Sequence, residues 1–193
     1  MGGPTGGSTP DADFTEFVAA RADRLYRSAY LLTTSEPSAE DLLQTTLTKV
    51  YVAWGRVRAA EDPVAYVHGI LTKTFLSERR RRSSRDLTFA EPPEPWHPGD
   101  TRRPPDTDPA ERLALAAALA ELAPLDQAVV VLRFWEDQSV AQTATHLGLS
   151  QAAVKNRSLR ALRALRGLLT EPLDEIPGDT PRHTPNQTSR SNR

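Results

Sequence analysis

The chain predicts an all-α fold: two small helical domains joined by a Pro-rich linker, with disordered tails. Three observations carry this. Apolar residues recur at spacings of three and four along most of the chain, and β-strand alternation is absent. Seven of the sixteen prolines fall in residues 83–109, where aliphatic side chains almost vanish; such a stretch ends helices and makes a stiff spacer. Charge is segregated: the formal net charge is −1, yet segments 66–85 and 150–166 each carry +5 and segment 86–111 carries −5.

Taken in order, residues 1–12 are Gly, Pro, Ser and Thr with acids, the composition of a disordered tail. From Asp13, the residues Phe14, Phe17, Val18, Leu25, Tyr26, Ala29 and Leu32 keep a helical rhythm. Ser35-Glu36-Pro37 reads as a break. Ser38 then reads as the cap of a second helix, with Asp41 three positions on as its capping-box partner. The apolar face of that helix is Leu43, Leu47, Val50 and Trp54, and Gly55 ends it. Residues 56–62 read as a loop. Pro63 suits the first turn of a third helix, which carries Val64, Val67, Ile70, Leu71, Phe75 and Leu76 into Arg79–Arg82. Residues 13–82 thus predict one three-helix domain, and 83–110 an acidic Pro-rich linker. Its first 27 residues, at ~3.1 Å each, would reach on the order of 80 Å if extended.

The second domain is expected over 111–169. Leu113, Leu115, Ala116, Leu119 and Leu122 make a first helix that stops before Pro124. Asp126–Trp135 make a second, with Val129, Val130, Leu132 and Phe134. Residues 139–166 then read as two helices around a tight turn, Leu147-Gly148-Leu149-Ser150. Ser139 and Gln142 have capping-box spacing, Gly148 supplies a positive φ, and Ser150 caps the second helix. Residues 170–193 return to a polar, Pro-containing tail.

Composition excludes several classes of function. There are no cysteines, so disulfides, thiolate nucleophiles and Cys-ligated zinc are ruled out. The four histidines lack metal-ligand spacing. No nucleophile–base pair, Gly-rich phosphate loop or carboxylate cluster supports catalysis. The N-terminus lacks the basic and apolar parts of a signal peptide, and no apolar run approaches the ~18 residues of a membrane span. The expectation is a soluble cytoplasmic protein, not an enzyme, with neither cofactor nor metal.

The most telling segment is 139–166. Its second helix carries Lys155, Arg157, Arg160, Arg163 and Arg166 and no acid. A short amphipathic helix, a Gly turn and a cationic helix suit a helix-turn-helix laid in a DNA major groove. Val154, Ser158, Ala161, Leu162 and Leu165 fall on one face; Gln151, Ala152, Lys155, Asn156 and Arg160 fall largely elsewhere. Gln and Asn can pair with adenine, Lys and Arg with guanine or phosphate. The plainer reading is a solvated helix face, but such faces usually mix both signs of charge.

Arg79–Arg82 form the second basic run. Helix ends attract cations through the helix dipole, so the run alone says little. Tyr66 and Phe75 precede it, with Tyr51 and Trp54 one helix back. Cations beside aromatics suit single-stranded nucleic acid, while aromatics at helical spacing equally suit a core. The helix from Ser38 has a polar face of Asp41, Gln44, Thr45 and Thr48, which is either solvated or a partner surface.

The order of SAEDLLQTTLTKVYVAW, DPVAYVHGILTKTFLSERRRR, a Pro-rich linker and LAELAPLDQAVVVLRFWEDQSVAQTATHLGLSQAAVKNRSLRALRALR resembles the extracytoplasmic-function (ECF) sigma factors of the sigma-70 superfamily, in particular an actinobacterial SigE-like group. The resemblance covers about 13–169. It implies a sigma-2 domain at 13–82 and a sigma-4 domain at 111–169, binding core RNA polymerase through the beta-prime clamp and beta flap and directing it to promoter DNA. By the same resemblance, Asp41, Gln44, Thr45 and Thr48 would dock on the clamp. The loop 57–63 with Tyr66, Lys73, Arg79, Arg80, Arg81 and Arg82 would open the downstream element and hold its non-template strand. Ser150, Gln151, Ala152, Lys155, Asn156, Arg157 and Arg160 would read the upstream element. The free protein would be monomeric, with an anti-sigma factor as a further partner the family admits. Thr45 stands where the family often has an acid, and Lys73 where the related group has Asn. The competing readings are a helix-turn-helix regulator that binds duplex DNA without polymerase, and a polymerase-sequestering interaction protein.

Overall fold

The computed structural model describes residues 9–85 and 109–170. Among these the chain is helical, with no strand. Thr9 caps α1 (Pro10–Ala19), its hydroxyl accepting the Ala12 N–H at 3.3 Å, and Pro10 needs no N–H donor in a first turn. The helical rhythm expected from Asp13 is interrupted. The chain turns at Ala20-Arg21 and restarts as α2 (Ala22–Thr33). That bend lets Phe14 and Phe17 stand edge-on to Trp54, with centroids 5.4 and 5.1 Å away.

Helix α2 ends at Thr34, whose φ of 56° is left-handed. The break expected at Ser35–Pro37 is only this turn. Helix α3 (Glu36–Val52) begins at Glu36, with Pro37 tolerated in its first turn. Ser35, not Ser38, occupies the cap position, and no side chain caps it. Residues expected as loop form a short helix, α4 (Trp54–Arg58), with Gly55 inside it. Trp54 therefore opens α4 rather than closing α3. Asp62 then accepts the Ala65 N–H at 2.9 Å and starts α5 (Pro63–Arg85).

Leu25, Leu32, Leu42 and Leu71 are at most 1% exposed, the centre of a core shared by α2, α3 and α5. Each contributes about 1.5–3 kcal/mol by leaving water. Lys49 Nζ donates to Thr74 Oγ1 at 3.0 Å, tying α3 to α5.

The expected linker narrows at both ends. Ser83–Arg85 continue α5, and α6 (Pro109–Ala120) starts with Pro109; residues 86–108, like the tails 1–8 and 171–193, lie outside the described residues. Pro124 opens α7 (Pro124–Val130) two residues earlier than expected. The chain then widens into a π-turn over Val131–Trp135, where Glu136 N–H reaches back five residues to Val131 O at 3.0 Å. Helix α8 (Val140–Leu147) has the full Ser139/Gln142 capping box, and Gly148 closes it at φ 65°. Helix α9 (Gln151–Thr170) follows, with the Ser150 hydroxyl accepting the Ala153 N–H at 3.1 Å.

The two halves share their apolar surfaces. Ala128 and Val131 join the core of α2, α3 and α5, while Leu31 of α2 packs on the cluster built by Leu119, Leu122, Ala161 and Leu165.

Candidate nucleic-acid interface

Helix α9 buries Val154, Ala161 and Leu165, spaced seven and four apart. Leu162, expected on that face, is 38% exposed. The opposite surface presents Gln151, Ala152, Lys155 and Asn156 to solvent, beside the exposed cap Ser150. Two amide side chains and a cation at the N-terminal end of a helix can meet base edges and phosphate together. The Gly148 turn sets the angle at which α9 leaves α8.

Arg157 and Arg160 are not free members of that cationic surface. Arg157 Nη1 donates to Asp126 Oδ1 at 2.7 Å; Arg160 donates to Asp126 Oδ2 through Nε at 3.0 Å and Nη2 at 2.5 Å. The Asp126 side chain is only 7% exposed, against 30% for Arg157 and 64% for Arg160. Arg157 thus braces α9 on α7, and Arg160 keeps an open flank beside its ion pair. Lys155, Arg163 and Arg166 are exposed.

On α5, Arg79, Arg80, Arg81 and Arg82 are all exposed in its last turns, as is Lys73 a helical face upstream. The aromatic side chains near them divide. Phe75 and Trp54 are core, at 3% and 8% exposure. Tyr66 is half-buried against the same core. Tyr51 is half-exposed, yet its hydroxyl donates to Asp11 at 3.0 Å and its ring packs on Phe14. That bond to the Asp11 carboxylate pushes the phenol upward. Tyr51, Trp54, Tyr66 and Phe75 therefore form no open platform of aromatic rings beside the α5 arginines.

On α3, Asp41, Gln44 and Thr48 are exposed at helical spacing, with Thr45 half-buried beside them. The other side of the helix buries Leu42, Leu43, Thr46 and Val50. The polar stripe lies on α3, a different helix from those that carry the two basic runs.

Sequence reasoning missed the polar cluster around Glu136. Its carboxylate meets Arg24 Nε at 2.9 Å and His68 Nε2 at 3.2 Å, and accepts the Ser28 hydroxyl. Burial holds His68 neutral, down to about 4, with the Arg24 charge adding to the effect. Burial pushes Glu136 upward, partly offset by Ser28 and Arg24. Next to it, His146 Nδ1 donates to Gln138 Oε1 at 2.9 Å; its pKa is lowered by burial and then by the Lys73 charge. No local motif announces this cluster, since its members lie up to 112 residues apart.

Comparison with known proteins matches both halves. Residues 17–85 match the sigma-70 region 2 family and residues 112–165 the sigma-70 region 4 family. The RNA polymerase sigma-E factor of Streptomyces coelicolor is 35% identical over 154 residues, 80% of this chain and 84% of that one. The ECF RNA polymerase sigma factor SigL of Mycobacterium tuberculosis is 32% identical over 155 residues, 76% of this chain and 83% of its own. Among solved structures, the sigma factor RpoE of Bartonella quintana, crystallised with the anti-sigma factor NepR, superposes with a TM-score of 0.67 at 24% identity. It covers 84% of this chain and 99% of that one, and supports the fold. A duplex-binding regulator would account for the match over 112–165 but not for that over 17–85. The chain belongs to the sigma-70 family of RNA polymerase sigma factors, in its extracytoplasmic-function branch, whose members direct RNA polymerase to promoters.

Proposed function

We propose a division of labour between the halves. Residues 111–169 read the upstream promoter element as duplex, through Gln151, Lys155 and Asn156 on α9, with Arg160 at its flank. Residues 13–82 open the downstream element and hold its separated strand through Lys73 and Arg79–Arg82. Asp41, Gln44, Thr45 and Thr48 dock on the beta-prime clamp of core polymerase, and the 111–169 half meets the beta flap. The factor works in the cytoplasm and performs no covalent chemistry. Binding energy to the open strand offsets the few kcal/mol that extruding each base costs. A protein that restrains it by binding, as NepR accompanies the Bartonella factor, would be an anti-sigma factor.

The observation that carries this reading is the separation of three exposed surfaces on three helices: a polar one on α3, a basic one ending α5 and a mixed amide-and-cation one opening α9. Reversing charge at Arg80 and Arg81 tests it. In reconstituted holoenzyme, permanganate reactivity of the melted region should fall while upstream-element binding persists. Undiminished reactivity removes those arginines from promoter opening.

A further inference from the structure

Helix α5 runs past the core that supports it. Leu76 is its last side chain packed on the apolar cluster, and Arg79–Ser84 are all exposed. Helices in proteins are held mostly by the packing of an apolar face, so this overhang opens at little cost. Its run of four arginines adds like-charge repulsion. The overhang ends in two serines. Each has arginine at the second and third positions before it: Arg81 and Arg80 for Ser83, Arg82 and Arg81 for Ser84. The Ser84 hydroxyl donates to Arg81 O at 3.0 Å, a bond within its own turn that opens with the helix. No other serine or threonine among the described residues has arginine at both positions. Other hydroxyls that follow cations are shut away. Ser158, after Lys155 and Arg157, has its Oγ buried; Ser28, after Arg27, is buried and donates to Glu136.

We propose that Ser83 and Ser84 are a phosphorylation site for an arginine-directed Ser/Thr protein kinase, and that the added phosphate withdraws Arg79–Arg82 from the promoter strand. The second half of this rests on the assignment of those arginines to the separated strand. Recognition is electrostatic: carboxylates in the substrate cleft of such a kinase pair with guanidinium groups N-terminal to the acceptor hydroxyl. In the transfer, the serine Oγ attacks the γ-phosphorus of the kinase's magnesium-bound ATP, and the bond from that phosphorus to the β–γ bridging oxygen breaks. The hydroxyl proton passes to the kinase's catalytic carboxylate, leaving phosphoserine and ADP.

Charge sets the consequence. Arg79–Arg82 carry +4. Each phosphoserine adds about −1.5 to −2 at neutral pH, so one cancels close to half of that charge and two cancel most of it. Helical spacing supplies the contact: Arg79 and Arg80 stand four and three residues before Ser83, and Arg80 and Arg81 likewise before Ser84. A phosphate there takes the same guanidinium N–H donors that a DNA phosphate would use. It also sits at the C-terminal end of α5, where the helix dipole repels an anion, so the last turn loosens unless the arginines hold it. Both effects weaken strand contact. The upstream reader, on α9, carries no part of the site.

The test uses the full-length chain, magnesium-ATP and the catalytic subunit of cyclic-AMP-dependent protein kinase as the arginine-directed probe. Mass spectrometry should place phosphate on Ser83, Ser84 or both, and not on Ser28 or Ser158. A chain carrying Ser83→Ala and Ser84→Ala should transcribe as the unmodified chain does and lose that uptake. In holoenzyme, the phosphorylated chain should bind a pre-melted promoter template several-fold more weakly. Its plot of log affinity against log salt should be flatter by about 0.7 for each strand phosphate released. Upstream-element binding should be unchanged, and kinase treatment of the doubly substituted chain should alter neither quantity. No phosphate at either serine overturns the site. Phosphate taken up with strand affinity and salt slope unmoved overturns the switch, and charge reversal at Arg80 and Arg81 then separates the two claims. If that reversal still impairs opening, the arginines keep their assignment and the switch alone falls; if it does not, the assignment falls with it.

Discussion

Asp126 holds Arg160 through a forked contact: one carboxylate oxygen accepts from both Nε, at 3.0 Å, and Nη2, at 2.5 Å. The other oxygen takes Arg157. One nearly buried acid on α7 therefore fixes the rotation of α9 about its own axis, and with it the aim of Gln151, Lys155 and Asn156.

Replacing Asp126 with Ala should loosen that aim. Losing charge-assisted hydrogen bonds at a largely buried acceptor costs about 1–3 kcal/mol. Because both arginines remain partly wet, the lower half of that range is expected. Urea denaturation should show the loss of stability. Holoenzyme should also bind the upstream element several-fold more weakly, although a nearby negative charge has been removed. Tighter binding in a gel shift would mean that Asp126 merely screens the arginines rather than positioning α9.

Lys155 lies on the exposed side of α9 with no acid paired to it among the salt bridges of the described residues. If it neutralises one phosphate, Lys155→Ala should flatten the plot of log affinity against log salt by about 0.9. An unchanged slope in holoenzyme titrations would place Lys155 off the DNA backbone. Asn156→Ala should instead alter which upstream sequences are preferred.

The contrast between these residues shows what could be read from sequence. The Ser139/Gln142 box, the Gly148 turn and the Ser150 cap all lie within four residues of their partners, so local chemistry dictates them. The α3 stripe of Asp41, Gln44 and Thr48 was legible because helical period alone places it opposite Leu42 and Val50. The split between α1 and α2 was not, because it is the packing of Phe14 and Phe17 on Trp54, some 40 residues away, that calls for a bend. Pro37 misled because proline is compatible with a helix's first turn as well as with its end. Arg157 looks like a free cation in the sequence because its partner lies 31 residues back on another helix. Glu136 drew no notice for the same reason: nothing near it in the chain reveals that Arg24, Ser28 and His68 surround it.

The pH dependence of docking follows from His68. Its docked value of about 4 lies below the ordinary 6.5, so the open chain takes up the proton first. The stabilisation is whole above pH 6.5 and is lost as pH falls toward 4. His146, also lowered, adds to this slope. Glu136, raised, opposes it as it takes up its proton; the Arg24 guanidinium and the Asp62 carboxylate also face the site. Nitroxides at Val52→Cys and Ala164→Cys, one exposed site on each half, should report a longer distance by pulsed electron spin resonance as pH falls from 7 toward 5. His68→Gln, which can still donate to Glu136, should flatten that response. Equal slopes in both proteins would exclude His68 as the titrating group.

The most direct test of the whole account is transcription with purified components. The full-length protein and sigma-free core RNA polymerase should together yield a transcript with one defined start site on templates carrying a cognate promoter, where neither alone does. If no start-site-specific transcript appears from any template in a genomic promoter library, while an unrelated sigma factor programmes the same core enzyme, this chain does not act as a sigma factor.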